Sequence, residues 1–217
     1  MVEKSNVLPR SVWIGCSLTF SLIGLAVLVS LLQNGRPKIS TLPVISHVAD
    51  FTLTNQDNQI TTLADLTNHV WIADIIFTRC AGPCPRLTLQ MKSLSESLPK
   101  TSDAKLVTLT TDPEHDTPEV LKKYGARGNV DFSRWSFLTG VKREIAALGS
   151  GSLKLSSQPV RLEDQKSVAD LFIHGTLLVV VDKHAQLRTY FETDGADWTN
   201  GVLPKILATV RELENEP

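Results

Sequence analysis

The hydrophobic positions divide this chain into one long apolar segment followed by alternating strand-like and helix-like patterns. Residues 12–32 are 21 consecutive residues without a charged side chain, rich in Leu, Ile and Val. A helix of that length crosses a hydrocarbon core of about 30 Å, whereas the apolar region of a cleaved signal peptide has about 7 to 15 residues. We therefore predict an N-terminal tail over residues 1–11, a transmembrane anchor over 12–32 and a linker over 33–43.

The remaining residues, 44–217, show the patterns of one α/β domain. The stretch 70–77 is almost continuously apolar and is interrupted by Asp74, which is typical of a strand covered on both faces. Residues 51–53 and 59–62 flank an Asn- and Asp-rich turn and predict a hairpin. Further strands are predicted at 105–110, 134–138, 176–181 and 187–191, the last two forming a second hairpin.

Helical periodicity separates these strands. A first helix is predicted from Leu87, Met91, Leu94 and Leu98, which recur at spacings of 4, 3 and 4 before Pro99. A second helix should begin at Thr117 and Pro118 and end at Gly125, and others should cover 142–148 and about 202–213. The order of elements predicts a mixed sheet with helices on both faces. The connection 149–173 is weakly patterned, which is more typical of a functional or mobile segment.

Composition and charge narrow the functional classes. Hydrophobic residues make up 42% and charged residues 21%, as in ordered globular proteins. The net charge is −1, and the first 38 residues contain four basic and one acidic side chain, so the rest of the chain carries −4. An acidic domain offers no electrostatic case for binding nucleic acid. Three cysteines are too few for a disulfide-based scaffold.

Two of the cysteines, Cys80 and Cys84, lie where a predicted buried strand ends and a helix begins. A helix N-terminus stabilises thiolate, so this position predicts reactive, exposed cysteines of low pKa. A structural disulfide is the competing interpretation. Its loop of about 5 residues would contribute roughly 2 kcal/mol, against about 4.7 kcal/mol for a 100-residue loop, so it would be an inefficient crosslink.

Adjacent thiolates can exchange with other dithiols or hold a soft metal. Zinc in a structural site needs four ligands, whereas copper(I) prefers thiolates and accepts an imidazole as third ligand. His174 precedes the predicted strand 176–181, although on the residues alone such a histidine is more often a hydrogen-bonded loop residue. His115 lies in an acidic loop, where we expect Asp112 and Asp116 to shape the turn. The remaining histidines, which we interpret as solvated surface residues, are His47, His69 and His184.

Three segments taken together resemble the Sco/SenC family: IFTRCAGPCP at 76–85, TDPEHDTP at 111–118 and HGT at 174–176. The resemblance covers about residues 44–213, although Ile173 and Gly175 stand where many members carry Asp and Ser. It implies a thioredoxin-like fold, with a mixed central sheet flanked by helices, in a membrane-anchored copper protein that helps to assemble the dinuclear copper site of cytochrome c oxidase.

The resemblance also implies that Cys80, Cys84 and His174 are copper ligands, and that the cysteine pair can cycle to a disulfide. It implies a domain facing the bacterial periplasm or the mitochondrial intermembrane space. No Arg-rich, Ser-rich presequence precedes the anchor, so we expect a single-pass protein of the bacterial inner membrane with a periplasmic domain.

Three functions follow as hypotheses. The first is a copper chaperone that delivers copper to cytochrome c oxidase by ligand exchange. The second is a copper-independent thiol–disulfide oxidoreductase that acts on the cysteines of that client. The third is a thiol peroxidase, in which Arg79 or Arg86 would stabilise the leaving oxygen. The cysteines alone do not choose between the first two.

Overall fold

The computed structural model describes residues 19–29, 40–155, 157–159, 172–174, 176–195 and 197–217. Within the predicted anchor, residues 19–29 form a helix, α1, with exposed side chains, and the other residues of the 12–32 span lie outside the described part. No helix among the described residues is long and apolar enough to cross a membrane. Ser40–Glu216 form one compact unit.

Among the described residues of this unit ten strands are assigned, eight of them in one mixed sheet. The eight are β1 (Ser46–His47), β2 (Thr52–Asn55), β3 (Ile60–Thr62), β4 (Trp71–Ile76), β5 (Lys105–Thr110), β6 (Trp135–Thr139), β9 (Leu177–Val181) and β10 (Gln186–Glu192). Their spatial order is β1-β10-β9-β4-β5-β6-β2-β3. The three central strands β4, β5 and β6 are parallel, and the flanking pairings are antiparallel. A separate two-stranded sheet pairs β7 (Ser157–Pro159) with β8 (Phe172–His174).

The helices connect and cover this sheet. They are α2 (Pro83–Ser97), α3 (Pro118–Arg127), α4 (Lys142–Ala146) and α5 (Leu203–Glu214). For α2 and α3 the sequence shows why the helix begins where it does. Pro83 and Pro118 occupy first-turn positions, where a missing backbone donor costs nothing, and the Thr117 side chain accepts a hydrogen bond from the Val120 amide. Two π-helical turns, Ala147–Ser152 and Trp198–Val202, extend α4 and precede α5.

The core has two apolar layers, one on each face of the sheet. In β4, Ile72 and Ile76 pack into the layer that contains α2 and α5, whereas Trp71 and Ile75 pack into the other layer. Every residue of β4 is buried, as predicted for a strand covered on both faces. By the alternation of side chains along a strand, Asp74 lies on the face covered by α2.

The predicted strands and hairpins are confirmed to within two residues at each end. Several details were wrong or missed, among them the strands β7 and β8, which lie within or at the end of the weakly patterned connection 149–173. Helix α3 continues past Gly125 to Arg127 and is capped at Gly128, whereas Gly125 lies inside the helix where its missing side chain makes room for the Phe132 ring. The helix predicted at 142–148 changes to a π-helical turn after Ala146. The edge strand β1 was missed because its two residues are too few to show the alternation of apolar and polar positions that predicts a strand.

Candidate metal and thiol centre

The cysteine pair lies at the carboxyl end of β4, where the chain turns into α2. The Cys80 amide donates to the Phe77 carbonyl at 3.2 Å, which closes a four-residue turn. Gly82 then caps α2, and Cys84 occupies its first turn after Pro83. Both cysteines are free thiols and both are buried, with 6% of Cys80 and 2% of Cys84 exposed. The sequence prediction that brings them together at a strand–helix junction is confirmed.

The electrostatic setting of Cys84 differs from the prediction. Burial raises the pKa of the Cys84 thiol, and a hydrogen bond with Cys80, together with the nearby negative groups Cys80 and Asp74, raises it further. A hydrogen bond with the Phe77 backbone opposes this shift. The expected exposed, low-pKa thiol is therefore wrong for Cys84, because desolvation outweighs the stabilising effect of the helix N-terminus.

Asp74 is a buried acid on the cysteine side of the sheet. None of its surface is exposed, and burial raises the pKa of its carboxyl group to about 7 although a hydrogen bond from Thr108 opposes the shift. The Thr108 hydroxyl lies 2.5 Å from Oδ1, and Trp135 Nε1 donates to that hydroxyl at 2.9 Å. The second oxygen, Oδ2, has no hydrogen-bond partner among the described residues.

Tyr124 of α3 completes the buried surroundings of the pair. Its hydroxyl lies 2.8 Å from Thr88 Oγ1, which itself donates to the Cys84 carbonyl at 3.0 Å. Because Thr88 has one hydroxyl hydrogen, Tyr124 is the donor in their contact. Burial raises the pKa of Tyr124 to about 12, and the negative groups Cys84, Asp74 and Cys80 add to the shift.

The acidic loop after β5 lies beside the cysteine turn. Asp112, His115 and Asp116 each offer a ligand atom within 4.8 Å of the others. Their existing contacts support the predicted role in shaping the loop, because Asp112 is paired with Arg79 at 2.5 Å and Asp116 accepts hydrogen bonds from Thr78. The two carboxylates therefore already have protein partners.

His174 ends β8, where its backbone pairs with Ser157, and its side chain lies outside the described residues. Thr176, two residues further along the chain, is held by hydrogen bonds. The Thr176 carbonyl accepts from the amide and hydroxyl of Thr193, at 2.9 and 3.1 Å. Gln90 of α2 donates to the Thr193 carbonyl at 3.4 Å. These contacts connect the start of β9 to the helix that carries Cys84.

Both arginines of the peroxidase hypothesis are engaged by carboxylates. Arg79 is paired with Asp112, and Arg86 is paired with Asp194 at 2.5 Å. Their side chains are 40% and 52% exposed. A guanidinium that binds a protein carboxylate at the surface is a poor donor for a leaving oxygen above a buried sulfur. The geometry therefore removes the main support for a peroxidase.

Comparison with known proteins decides the family. The model of the SCO1/SenC family matches residues 41–206. The chain belongs to the SCO1/SenC family. A SCO1 protein homolog from Bacillus subtilis (strain 168) is 37% identical over 125 residues, covering 57% of this chain and 65% of that relative, slightly less than two thirds of its length. The resemblance found in the three sequence segments is thus confirmed.

Solved structures of Sco proteins share the fold. One of BsSco, described as a Sco-family cytochrome c oxidase assembly protein with a disulfide switch, has a TM-score of 0.66 at 29% identity, covering 81% of this chain and 97% of that one. Copper-bound ScoI of Bradyrhizobium japonicum has a TM-score of 0.63 at 20% identity, covering 77% and 99%. This similarity confirms the predicted α/β architecture of a mixed sheet with helices.

In this SCO1/SenC domain, three residues near the thiols were not assigned to the site from sequence. Asp74 could have been found from the sequence, because a carboxylate inside an apolar strand is rarely buried without a specific reason. Tyr124 and Asp116 gave none, since their approach to the cysteine pair depends on how α3 and the loop after β5 pack against the turn before α2.

Proposed function

We propose that this SCO1/SenC protein binds copper through Cys80, Cys84 and His174 and delivers it to the copper site of cytochrome c oxidase. The observation that carries the proposal is the pair of free, buried thiols in hydrogen-bond contact at the start of α2. Soft thiolates suit copper(I), and a bound cation removes the cost of burying their negative charge because a coordinating thiol is deprotonated by the metal.

Chain geometry supports His174 as the third ligand. His174 precedes Thr176 by two residues, which span at most about 7 Å of extended chain. Thr176 is connected through Thr193 to Gln90 of α2. His174 therefore lies in the chain two residues before a position that is connected through hydrogen bonds to the helix of Cys84.

The relatives support copper as the metal and cytochrome c oxidase as the client. Copper is bound to the ScoI protein of Bradyrhizobium japonicum, and BsSco is a member of a family of cytochrome c oxidase assembly proteins. We further propose that residues 12–32 anchor the chain in the bacterial inner membrane with the domain in the periplasm. Anchoring would raise the effective concentration of the copper site near a membrane-embedded client.

Transfer would proceed by ligand exchange. Thiolates of the client would replace those of this protein one at a time, so that copper remains coordinated throughout. Cys80 is the less deeply buried residue of the pair, and its sulfur would leave the metal first. Neither the oxidation state of copper nor that of the cysteines changes in this step.

Anaerobic copper(I) titration of the full chain, purified in detergent, tests the proposal. One equivalent of copper should bind to wild type, and Cys80→Ser and Cys84→Ser should abolish tight binding. His174→Ala should weaken binding at least tenfold. His47→Ala is the matched control, because His47 lies exposed in the edge strand β1. Equal affinity of wild type and His174→Ala would overturn the three-ligand site.

The second function, copper-independent thiol–disulfide exchange, is favoured by the unequal burial of the two sulfurs. The more exposed Cys80 thiolate would attack a client disulfide and form a mixed disulfide. Cys84 would then attack Cys80 and release the second client sulfur as a thiol. Two electrons pass to the client, and the Cys80–Cys84 disulfide forms. His174→Ala should leave this exchange unchanged, which separates it from copper delivery.

A further inference from the structure

The four-residue turn Phe77–Cys80 leads into the cysteine motif. Side chains of the loop that follows β5 form hydrogen bonds and an ion pair with this turn. Strands β4 and β5 are parallel and paired residue by residue, so the segments that follow them emerge side by side. The amide of Thr111, one residue beyond β5, donates at 2.9 Å to the carbonyl of Ile76, the last residue of β4. The turn and the loop then make direct side-chain contact.

Asp116 makes the central contacts between them. Its Oδ2 accepts from the Thr78 amide at 3.0 Å and from the Thr110 hydroxyl at 2.5 Å. Its Oδ1 accepts from the Thr78 hydroxyl at 2.5 Å and lies 3.0 Å from His115 Nδ1. The side chain is completely buried. Both carboxylate oxygens are thus satisfied, and two of the four contacts go to Thr78.

These contacts determine the position of both sulfurs. Thr78 is the second residue of the turn that the Cys80 amide closes on the Phe77 carbonyl. The Phe77 backbone is also the hydrogen-bond partner of the Cys84 side chain. Fixing Thr78 therefore restrains Cys80 through the turn and Cys84 through Phe77. The 2.5 Å ion pair of Arg79 with Asp112 holds the third residue of the turn.

We propose that Asp116 is a positioning residue for the cysteine pair, holding the Phe77–Cys80 turn through Thr78 so that the two sulfurs stay at the separation that copper binding and disulfide formation require. The proposal rests on the proposed function, because it assumes that the pair is the working group. When a side chain that orients a metal ligand through hydrogen bonds is substituted, metal affinity typically changes by 10- to 100-fold.

The test compares Asp116→Asn and Thr78→Val with Thr110→Val in the full chain. Thr110→Val is the matched control, because it removes a buried hydroxyl from the same Oδ2, and from the Asp112 amide, while leaving both contacts of Asp116 with Thr78 in place. Two equilibria are measured for each variant: competition for copper(I) with a chromophoric chelator, and the dithiol–disulfide equilibrium against glutathione. Urea unfolding gives the stability of each variant separately.

Asp116→Asn and Thr78→Val should lower copper affinity about tenfold or more, and should shift the glutathione equilibrium toward the dithiol by a similar factor. Thr110→Val should leave both equilibria within about twofold of wild type while losing stability. If Thr110→Val changes both equilibria as much as Thr78→Val does, Asp116 has only a structural role and the proposal fails.

Wild-type values in folded Asp116→Asn would also overturn the proposal. If Asp116→Asn does not fold, Thr78→Val alone decides, since it keeps the backbone contact and removes only the hydroxyl. Failure of the proposed function gives a different result, in which wild type itself neither binds copper nor forms the Cys80–Cys84 disulfide.

Discussion

The Thr108 hydroxyl donates a 2.5 Å hydrogen bond to Oδ1 of Asp74 where β4 and β5 pair in the interior of the sheet. The Trp135 indole donates to the Thr108 hydroxyl oxygen at 2.9 Å, which leaves the hydroxyl hydrogen of Thr108 available for Asp74. Asp74 Oδ2 receives no such bond from the described residues. A fully buried carboxyl group with one satisfied oxygen is more stable in its neutral form.

We expect Asp74→Asn to be more stable than wild type at pH 8 and to lose this advantage near pH 4. The pKa of Asp74 rises from 3.8 in the unfolded chain to about 7 in the folded protein. The contribution of this carboxyl group to the free energy of unfolding of wild type is therefore fully present below about pH 4, and it is lost as the pH rises through about 7. The difference amounts to at most about 4 kcal/mol. Urea unfolding of both proteins at pH 4, 6 and 8 measures it, and a pH-independent difference would contradict the assignment.

Cys80 should react with iodoacetamide before Cys84. Burial and the neighbouring negative groups raise the pKa of Cys84, and only 2% of its surface is exposed. Since one pKa unit changes the thiolate fraction tenfold, Cys84→Ser, which keeps Cys80, should be alkylated more than ten times faster than Cys80→Ser. Mass spectrometry of timed samples gives the rates. Faster alkylation of Cys80→Ser would reverse the roles of the two sulfurs in exchange.

Glu216→Gln should cost about 3 kcal/mol of unfolding free energy. Glu216 Oε2 accepts from Arg188 at 2.7 Å, and both side chains are buried. Removing one charge leaves Arg188 with only Asp182 as a charged partner in the described interior. The control is Glu119→Gln at an exposed pair with Lys123, which should leave stability unchanged. Equal effects of the two substitutions in urea would show that the buried pair contributes no more than the exposed one.

Gly125→Ala should destabilise the domain by about 1–3 kcal/mol, although alanine is the better helix former. A Cβ atom there would lie 2.7 Å from the Phe132 ring and 3.3 Å from the Phe137 ring. Gly151→Ala, where nothing lies within 4 Å of the new atom, should be tolerated. Thermal unfolding of Gly125→Ala with and without Phe132→Leu locates the clash. No recovery in the double variant would show that Phe132 is not its source.

Local patterns predicted most of the strands, because β4, β5 and β9 are largely apolar runs, and such runs predict strands that are buried on both faces. They also predicted that Cys80 and Cys84 lie together, since four residues cannot carry them far apart. The burial of Cys84 could not be predicted, because it depends on the packing of α2 against the sheet. The contacts of Asp116 with Thr78 join residues 38 positions apart, and they follow only from the parallel pairing of β4 and β5.

The buried cluster around Arg188 fixes where the polypeptide enters the domain. Arg188 donates to the Leu42 carbonyl, and Glu216 accepts from the Ser40 amide at 2.7 Å, so entry and exit of the chain share one corner. That corner adjoins Asp182, just after the residue that pairs with Trp71 at the amino end of β4, whereas the cysteines follow its carboxyl end about 20 Å away. Residues 40–42 and the sulfurs therefore lie beyond opposite ends of β4, so a molecule that contacts the thiols approaches the domain from the end remote from Ser40.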